Sequence, residues 1–334
     1  MFTALTGSRA IQPGGSGRPN IGVATIPDPR LTVIAGYIEP RKVTPASITF
    51  VDIAGINPGQ GEGQSGVLLS HVRQVDAICE VVRCFDGTDA LRDITRLEEE
   101  LILADLAVVE PALAKASRAA RTGDAETKAR VTVLEKALAV LGEGKPARTV
   151  PDLTPEQHMI VRGYGLITGK RMLYVANVSE DDMVGESEAA QRVREYAQAS
   201  GGESVTLCAL LEAELAELDE PDRREMFEGL GLTEPAIGPL ARAVCRLLGL
   251  RVFYTVGDKE VRAWTVVANA TAPEAAGVIH TDMQRGFIRA ECYHVDDLVE
   301  LKSEKAIKAA GRLRTEGKRY QVRDGDVLHM LFNV

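Results

Sequence analysis

Apolar and polar positions alternate in short blocks over the first 90 residues. Ile21–Ile26, Ile48–Ile53 and Ala77–Phe85 are mostly apolar, β-branched runs between Gly- and Pro-rich loops. They predict buried strands of a parallel sheet. Between the second and third lies GINPGQGEGQSG, with glycines at 55, 59, 61, 63 and 66, leading into a helical stretch over Val67–Val75. From Asp93 to about Leu141 apolar positions step by three and four instead. One stripe is Ile94, Leu97, Leu101, Ala104 and Val108; a second is Val131, Leu134, Leu138 and Leu141. With Gly123-Asp124 as the turn, they predict an antiparallel helical hairpin inserted in the first domain, kinked at Pro111.

The strand signal returns at Arg171–Asn177 and Glu203–Ala209, with a helix over Ser187–Ala199 between them. That order, strand–helix–strand, belongs to an open α/β sheet. A helix over Pro235–Leu248 closes this half. Short strands then follow at Val252–Val256, Val261–Val266, Phe287–Tyr293, Arg319–Val322 and Val327–Phe332. With helices at Pro273–Val278 and Ser303–Leu313 they predict a compact α+β module.

Composition narrows the function classes. The chain has 334 residues, 45% apolar, enough for two or three domains. Its net charge of −9 excludes a uniformly basic nucleic-acid binder but not a local basic surface. Residues 251–334 hold 13 Lys and Arg against 12 Asp and Glu, whereas the first 250 hold 26 against 36. The last module is therefore the better nucleic-acid contact, with Lys259, Arg262, Arg285, Arg289 and Arg323 as candidates for phosphate pairing, although an ordinary solvated surface has the same charge. No apolar run reaches the ~20 residues of a membrane span. Five cysteines without a CxxC pair read as reduced thiols in a cytoplasmic protein, with neither a disulfide framework nor a zinc site.

Three places can carry chemistry. Val51-Asp52-Ile53-Ala54-Gly55 puts an acid at a strand end before a tight Gly. Such a carboxylate holds Mg²⁺ through water, and the Gly frees a backbone N–H for a γ-phosphate. Alone, D-x-x-G also marks plain strand-to-turn transitions. Asn177-Val178-Ser179-Glu180 follows a strand whose end is the ligand-collecting edge of an open sheet. An Asn there can fasten neighbouring loops and reach a purine, or simply cap a turn. Compared with a guanine-reading Asn-Lys-x-Asp, Val178 replaces the Lys and Glu180 is one methylene longer, so adenine is tolerated. Cys208-Ala209 ends the last sheet strand, where small residues admit a loop backbone to a base or merely pack.

VDIAG, the GEG loop, HVRQVDAICEVVRCF, EEELILADL, ANVSEDD, LEAELAEL, DKEVRAWTV, ATAPEAAGVIHTDMQRGFIRAE, EGKRYQVRDGDV and the terminal LFNV resemble the YchF family, the Obg-like ATPases of the translation-factor class of P-loop NTPases. The resemblance runs from Met1 to Val334 with small gaps. It implies an α/β fold with a P-loop NTPase-type open sheet: a discontinuous G domain over 1–90 and 150–249, a helical hairpin insertion over 91–149, and a β-grasp TGS domain over 250–334. It further implies ATP preferred over GTP, Mg²⁺ as cofactor, and ribosome or RNA contact through the TGS domain and the hairpin, with no membrane association. Carried over by position, Asp52 and Gly55 are the Mg²⁺- and γ-phosphate-sensing pair. Asn177, Val178 and Glu180 form the base pocket, with Cys208 and Ala209 as its last loop. Ser16, four residues before Asn20, stands where the family's first switch has a Mg²⁺-binding Thr. Ile56 stands where many GTPases have a water-orienting Gln, which implies slow hydrolysis.

The departure is at the start. The family opens with a strand and a loop like GLPNVGKSTLFNALT; this chain begins at MFTALT, and no G-x-x-x-x-G-K-[ST] occurs in its 334 residues. That loop supplies most of the triphosphate's binding. The expectation is a truncated version of a longer gene product, its upstream frame encoding the strand and the GKS/T loop. The alternative is a non-catalytic RNA- or ribosome-binding module that has lost nucleotide binding.

Overall fold

The computed structural model describes residues 1–6, 19–53, 69–121, 125–230, 232 and 234–333. The chain gathers into two units, residues 1–22 with 51–232 and residues 23–50 with 233–334. β1 (Asn20–Thr25) pairs with a later strand; β2 (Val43–Thr44) joins the second unit's sheet; β3 (Ser47–Asp52) is the partner of β1. The expected burial of the first strand does not hold. Ile21 and Val23 are 68% and 57% exposed, because a two-stranded ladder covers alternate residues only.

The first unit's main sheet is β4 (Ala77–Arg83), β5 (Arg171–Asn177) and β6 (Glu203–Leu207), all parallel, with β5 in the middle. Residues 172–176 of β5 are buried on both faces, which explains the unbroken apolar run MLYVA. The helix Glu188–Ala199 crosses between β5 and β6. It starts at Ser187, whose hydroxyl accepts from the Ala190 N–H.

The hairpin helices are Ala90–Ala119 and Ala125–Gly142; the Gly123-Asp124 turn lies outside the described residues. They pack through Ile102, Val109, Val133, Leu134, Ala137 and Leu141. The first helix is continuous through Pro111. The proline sits on the exposed face, where the carbonyl of Ala107 that it strands can turn to water. One charge interrupts the apolar face. Asp105 is fully buried and accepts from the N–H groups of Ile167 (2.8 Å) and Thr168 (2.7 Å) and from the Thr168 hydroxyl (2.7 Å). Arg73 completes this node at 3.3 Å from Asp105 and also donates to the carbonyls of Gly165 (2.8 Å) and Ala104 (3.1 Å).

The second unit is built on β7 (Leu250–Thr255), β8 (Val261–Val267), β9 (Phe287–His294), β10 (Arg314–Glu316) and β11 (Asp326–Phe332). The sheet order is β10-β9-β11-β7-β8-β2, with β11 antiparallel to β9 and parallel to β7. Alternate residues serve two cores. Phe253, Cys292 and Leu328 meet the Ala275 face of the helix Ala272–Ile279. Tyr254, Tyr293 and Val327 meet Leu31 and Ile34 of the helix Pro29–Ile38, together with Leu298 and Ile307.

Two sequence expectations need correction here. Arg319–Val322 is not a strand: only Gln321 forms a bridge, to Thr271, and the strand is Arg314–Glu316. The period-two pattern is real, with Val322 buried and Gln321 and Arg323 exposed, but it belongs to a loop pinned by its inward side chains. The helix expected over Ser303–Leu313 is Glu304–Ala309, stopped short of Gly311, which has φ +69°.

Candidate functional site

The C-terminal edge of the β4–β5–β6 sheet is held by Asn177. Its main-chain carbonyl accepts from Cys84 N–H (2.8 Å), and its side-chain Oδ1 accepts from Ala209 N–H (2.9 Å) where the helix Ala209–Glu217 begins. Val178 N–H donates to Leu207 (3.0 Å). One amide thus ties the ends of three parallel strands. Glu180 opens a short 3₁₀ turn, exposed, while Val178 and Cys208 face the core at 2% and 6% exposure. Those two side chains have almost no surface to offer a base; only their backbone is placed to contribute.

Beside this edge is a cleft of about 440 Å³, lined by Cys84, Phe85, Asp86, Gly87, Thr88, Ser179, Asp181, Asp182, Ser187 and Ala189. Three carboxylates make it unsuited to a triphosphate. Burial opposes ionisation of Asp182, yet hydrogen bonds from Ser187 and from the Glu186 and Ser187 backbone hold its carboxyl below the ordinary range.

Asp52 ends β3, and its Oδ2 accepts from the Asn20 side-chain amide (3.2 Å). In the sequence Asn20 serves only to align the first switch. Its contact with Asp52 across 32 positions had no local signal. Among the described residues the carboxylate has this neutral partner and no ion pair, which leaves its other oxygen open to a cation. That donor set fits Mg²⁺, which binds through one or two carboxylates and keeps several waters. No cluster of three or more His, Cys, Asp or Glu suited to a metal occurs among the described residues. Ser16, Gly55 and Ile56 lie outside the described residues. Asp52 and Asn177 stand at strand ends of two different sheets, and no hydrogen bond joins them among the described residues.

A half-buried polar group missed in the sequence is Glu80, on β4 in the run AICEVV. Arg148 pairs with Glu98 and donates to the Tyr174 hydroxyl (3.2 Å), and Tyr196 donates to Glu98. Burial, then the charge of Glu98, pushes the Glu80 carboxyl up to about 8; Arg148 works against this and Asp93 adds to it. A raised folded-state value makes the contribution of Glu80 to stability greatest below the ordinary value of 4.5, and that contribution is lost as pH rises through 8. Glu80→Gln is therefore expected to match the parent near pH 4.5 and to exceed it by about 1–2 kcal/mol at pH 9. Urea unfolding at both pH values measures this; a gap that is constant with pH refutes it.

Comparison with known proteins bears on this geometry. A family model, YchF-GTPase_C, described as a protein of unknown function (DUF933), matches residues 250–333. The "Ribosome-binding ATPase YchF" of Haemophilus ducreyi is 42% identical over 348 residues, covering 100% of this chain and 95% of the relative. That of Bacillus subtilis is 42% identical over 329 residues, covering 95% and 90%. The solved structure of the Schizosaccharomyces pombe YchF GTPase superposes with a TM-score of 0.86 at 30% identity, covering 99% of this chain and 93% of that one.

Proposed function

Because the chain belongs to the YchF family, we propose that it binds ATP with Mg²⁺ and works on ribosomes as a slowly hydrolysing switch. The reading assigns nucleotide binding to residues 1–90 and 150–249, and ribosome or RNA contact to the hairpin over 91–149 and the module over 250–334. The observation that carries it is the Asn177 strut, which fixes the loops after β4 and β6 while Glu180 stays exposed beside them.

Each residue has a stated task. Asn177 keeps the base-side loops in register, and Glu180 offers an acceptor to the exocyclic amine of adenine. The Gly55 N–H steadies the γ-phosphate during attack by water. Ile56, being apolar, gives that water no hydrogen bond, which keeps turnover slow. Asp52 and the Ser16 hydroxyl are the residues that would hold Mg²⁺, whose charge, when bound, offsets that of the phosphate oxygens. Within residues 1–334 the contacts this reading names are those at the base and metal ends of the ligand.

Titration calorimetry with Mg-ATP and Mg-GTP tests the reading. ATP is expected to bind more tightly than GTP, and Asn177→Ala to weaken ATP about tenfold by freeing the Ala209 loop. Repeating the titration with a strand and Gly-Lys-Ser phosphate loop fused ahead of Met1 separates a false base site from a want of phosphate contacts. No heat from either protein sinks nucleotide binding and leaves the RNA- or ribosome-binding module.

A further inference from the structure

The second unit has a cleft of about 380 Å³ between the start of β7 and the loop before β11, lined by Arg251, Asn269, Arg319, Tyr320, Gln321 and Arg323. We propose that this cleft binds the backbone phosphates of single-stranded RNA, with Arg319 and Arg323 as the principal contacts. The proposal deepens the ribosome-directed part of the function above and rests on that part, not on ATP binding.

The lining itself argues for a polyanion. Three arginines line it, and a guanidinium presents a planar fork that matches two phosphate oxygens. Arg251 is steadied by a hydrogen bond to the Val322 carbonyl (3.3 Å). Arg319 and Arg323 are exposed, and their guanidinium groups make no hydrogen bond or ion pair among the described residues. The nearby acids are already engaged. Asp324 accepts from the Val252 N–H (2.8 Å) and pairs with Arg30, and buried Asp326 accepts from Tyr320 and from the Arg323 N–H. The positive charge of the cleft is therefore not cancelled from within.

The remaining groups favour a nucleotide chain over an acidic peptide. Asn269 and Gln321 bring amides that both donate and accept, suited to ribose hydroxyls and base edges. Asn269 is held at φ +68°, a left-handed conformation that Asn tolerates and that turns the chain at the rim. The residues carrying the cleft belong to the part of the chain where Lys and Arg outnumber acids, whereas residues 1–250 are strongly acidic. A polyanion is thus repelled less by this part of the chain than by the rest.

Fluorescence anisotropy of the full chain with a labelled single-stranded RNA of about a dozen nucleotides tests the proposal. The double variant Arg319→Gln/Arg323→Gln is expected to lose about tenfold in affinity at low salt. The slope of log K against log salt should flatten by about 1.4, two single-strand phosphate contacts. Lys305→Gln/Lys308→Gln removes the same charge from exposed positions outside the cleft and is expected to change affinity less than threefold, with a slope change under 0.7. Equal losses in both double variants, or no RNA binding by the parent chain, overturn the proposal. So does tight capture of inorganic phosphate or AMP that RNA fails to displace, which would make this a small-anion site. Mg-ATP binding is measured in parallel: its failure with the RNA result intact removes the nucleotide reading alone, and the converse removes the cleft alone.

Discussion

Asp105→Ala is expected to unfold the hairpin-bearing unit about 10 °C below the parent chain, a loss of about 3–5 kcal/mol. The carboxylate is fully buried and accepts three hydrogen bonds from Ile167 and Thr168 at 2.7–2.8 Å, with Arg73 at 3.3 Å. Alanine leaves two buried N–H groups without an acceptor, each costing about 1–3 kcal/mol, and removes the counter-charge of Arg73. The Thr168 hydroxyl also accepts from the Ala147 N–H (2.9 Å), so the damage reaches the segment after the hairpin. Asp105→Asn keeps one acceptor oxygen and should fall between the two. Thermal melting followed by circular dichroism gives the total. The sole tryptophan, Trp264, lies in the other unit, and its fluorescence transition is expected to move less. An alanine variant melting within 2 °C of the parent would show that these bonds are replaced by water at no cost.

The same residue shows what is readable in a sequence and what is not. An acid inside LILADLAVV breaks an apolar helical face, and that anomaly is visible without a structure; its partners more than 60 positions away are not. β5 was legible because a central parallel strand is buried on both faces, and MLYVA says so directly. IGVAT in β1 has the same composition as a fully buried strand, yet only alternate residues are covered. RYQV deceived for the opposite reason. Its alternation records which side chains point inward, and period two does not require a ladder of hydrogen bonds. At the site, Asn177 was legible from its place at a strand end. The contact of Asn20 with Asp52, the acid environment of Glu80 and the inward turn of Val178 all depend on long-range packing that local pattern does not encode.

Asp326→Ala is expected to loosen the second unit by about 3 kcal/mol, and its signature differs in kind. Asp326 is fully buried. Its Oδ2 accepts from the Tyr320 hydroxyl (2.7 Å) and the Arg323 N–H (2.8 Å), and Oδ1 lies 3.5 Å from Arg314. Removing the carboxylate strands the Tyr320 hydroxyl and the Arg323 N–H, while Arg314 keeps Glu316 at 3.4 Å. The adjacent Cys292 thiol, pushed up to about 12 by burial and then by Asp326, is inert while the unit stays closed. With opening easier by about 3 kcal/mol, labelling of Cys292, followed by mass spectrometry, should accelerate about a hundredfold. Asp326→Asn retains an acceptor and should accelerate it less. A labelling rate within twofold of the parent refutes the assignment. RNA binding then supplies a sign that charge alone cannot. Deleting an acid near three arginines would strengthen phosphate binding if electrostatics were the whole effect. Because Tyr320 and Arg323 line the cleft and both are pinned by Asp326, Asp326→Ala is expected instead to weaken it, and that direction separates a built site from a merely basic surface.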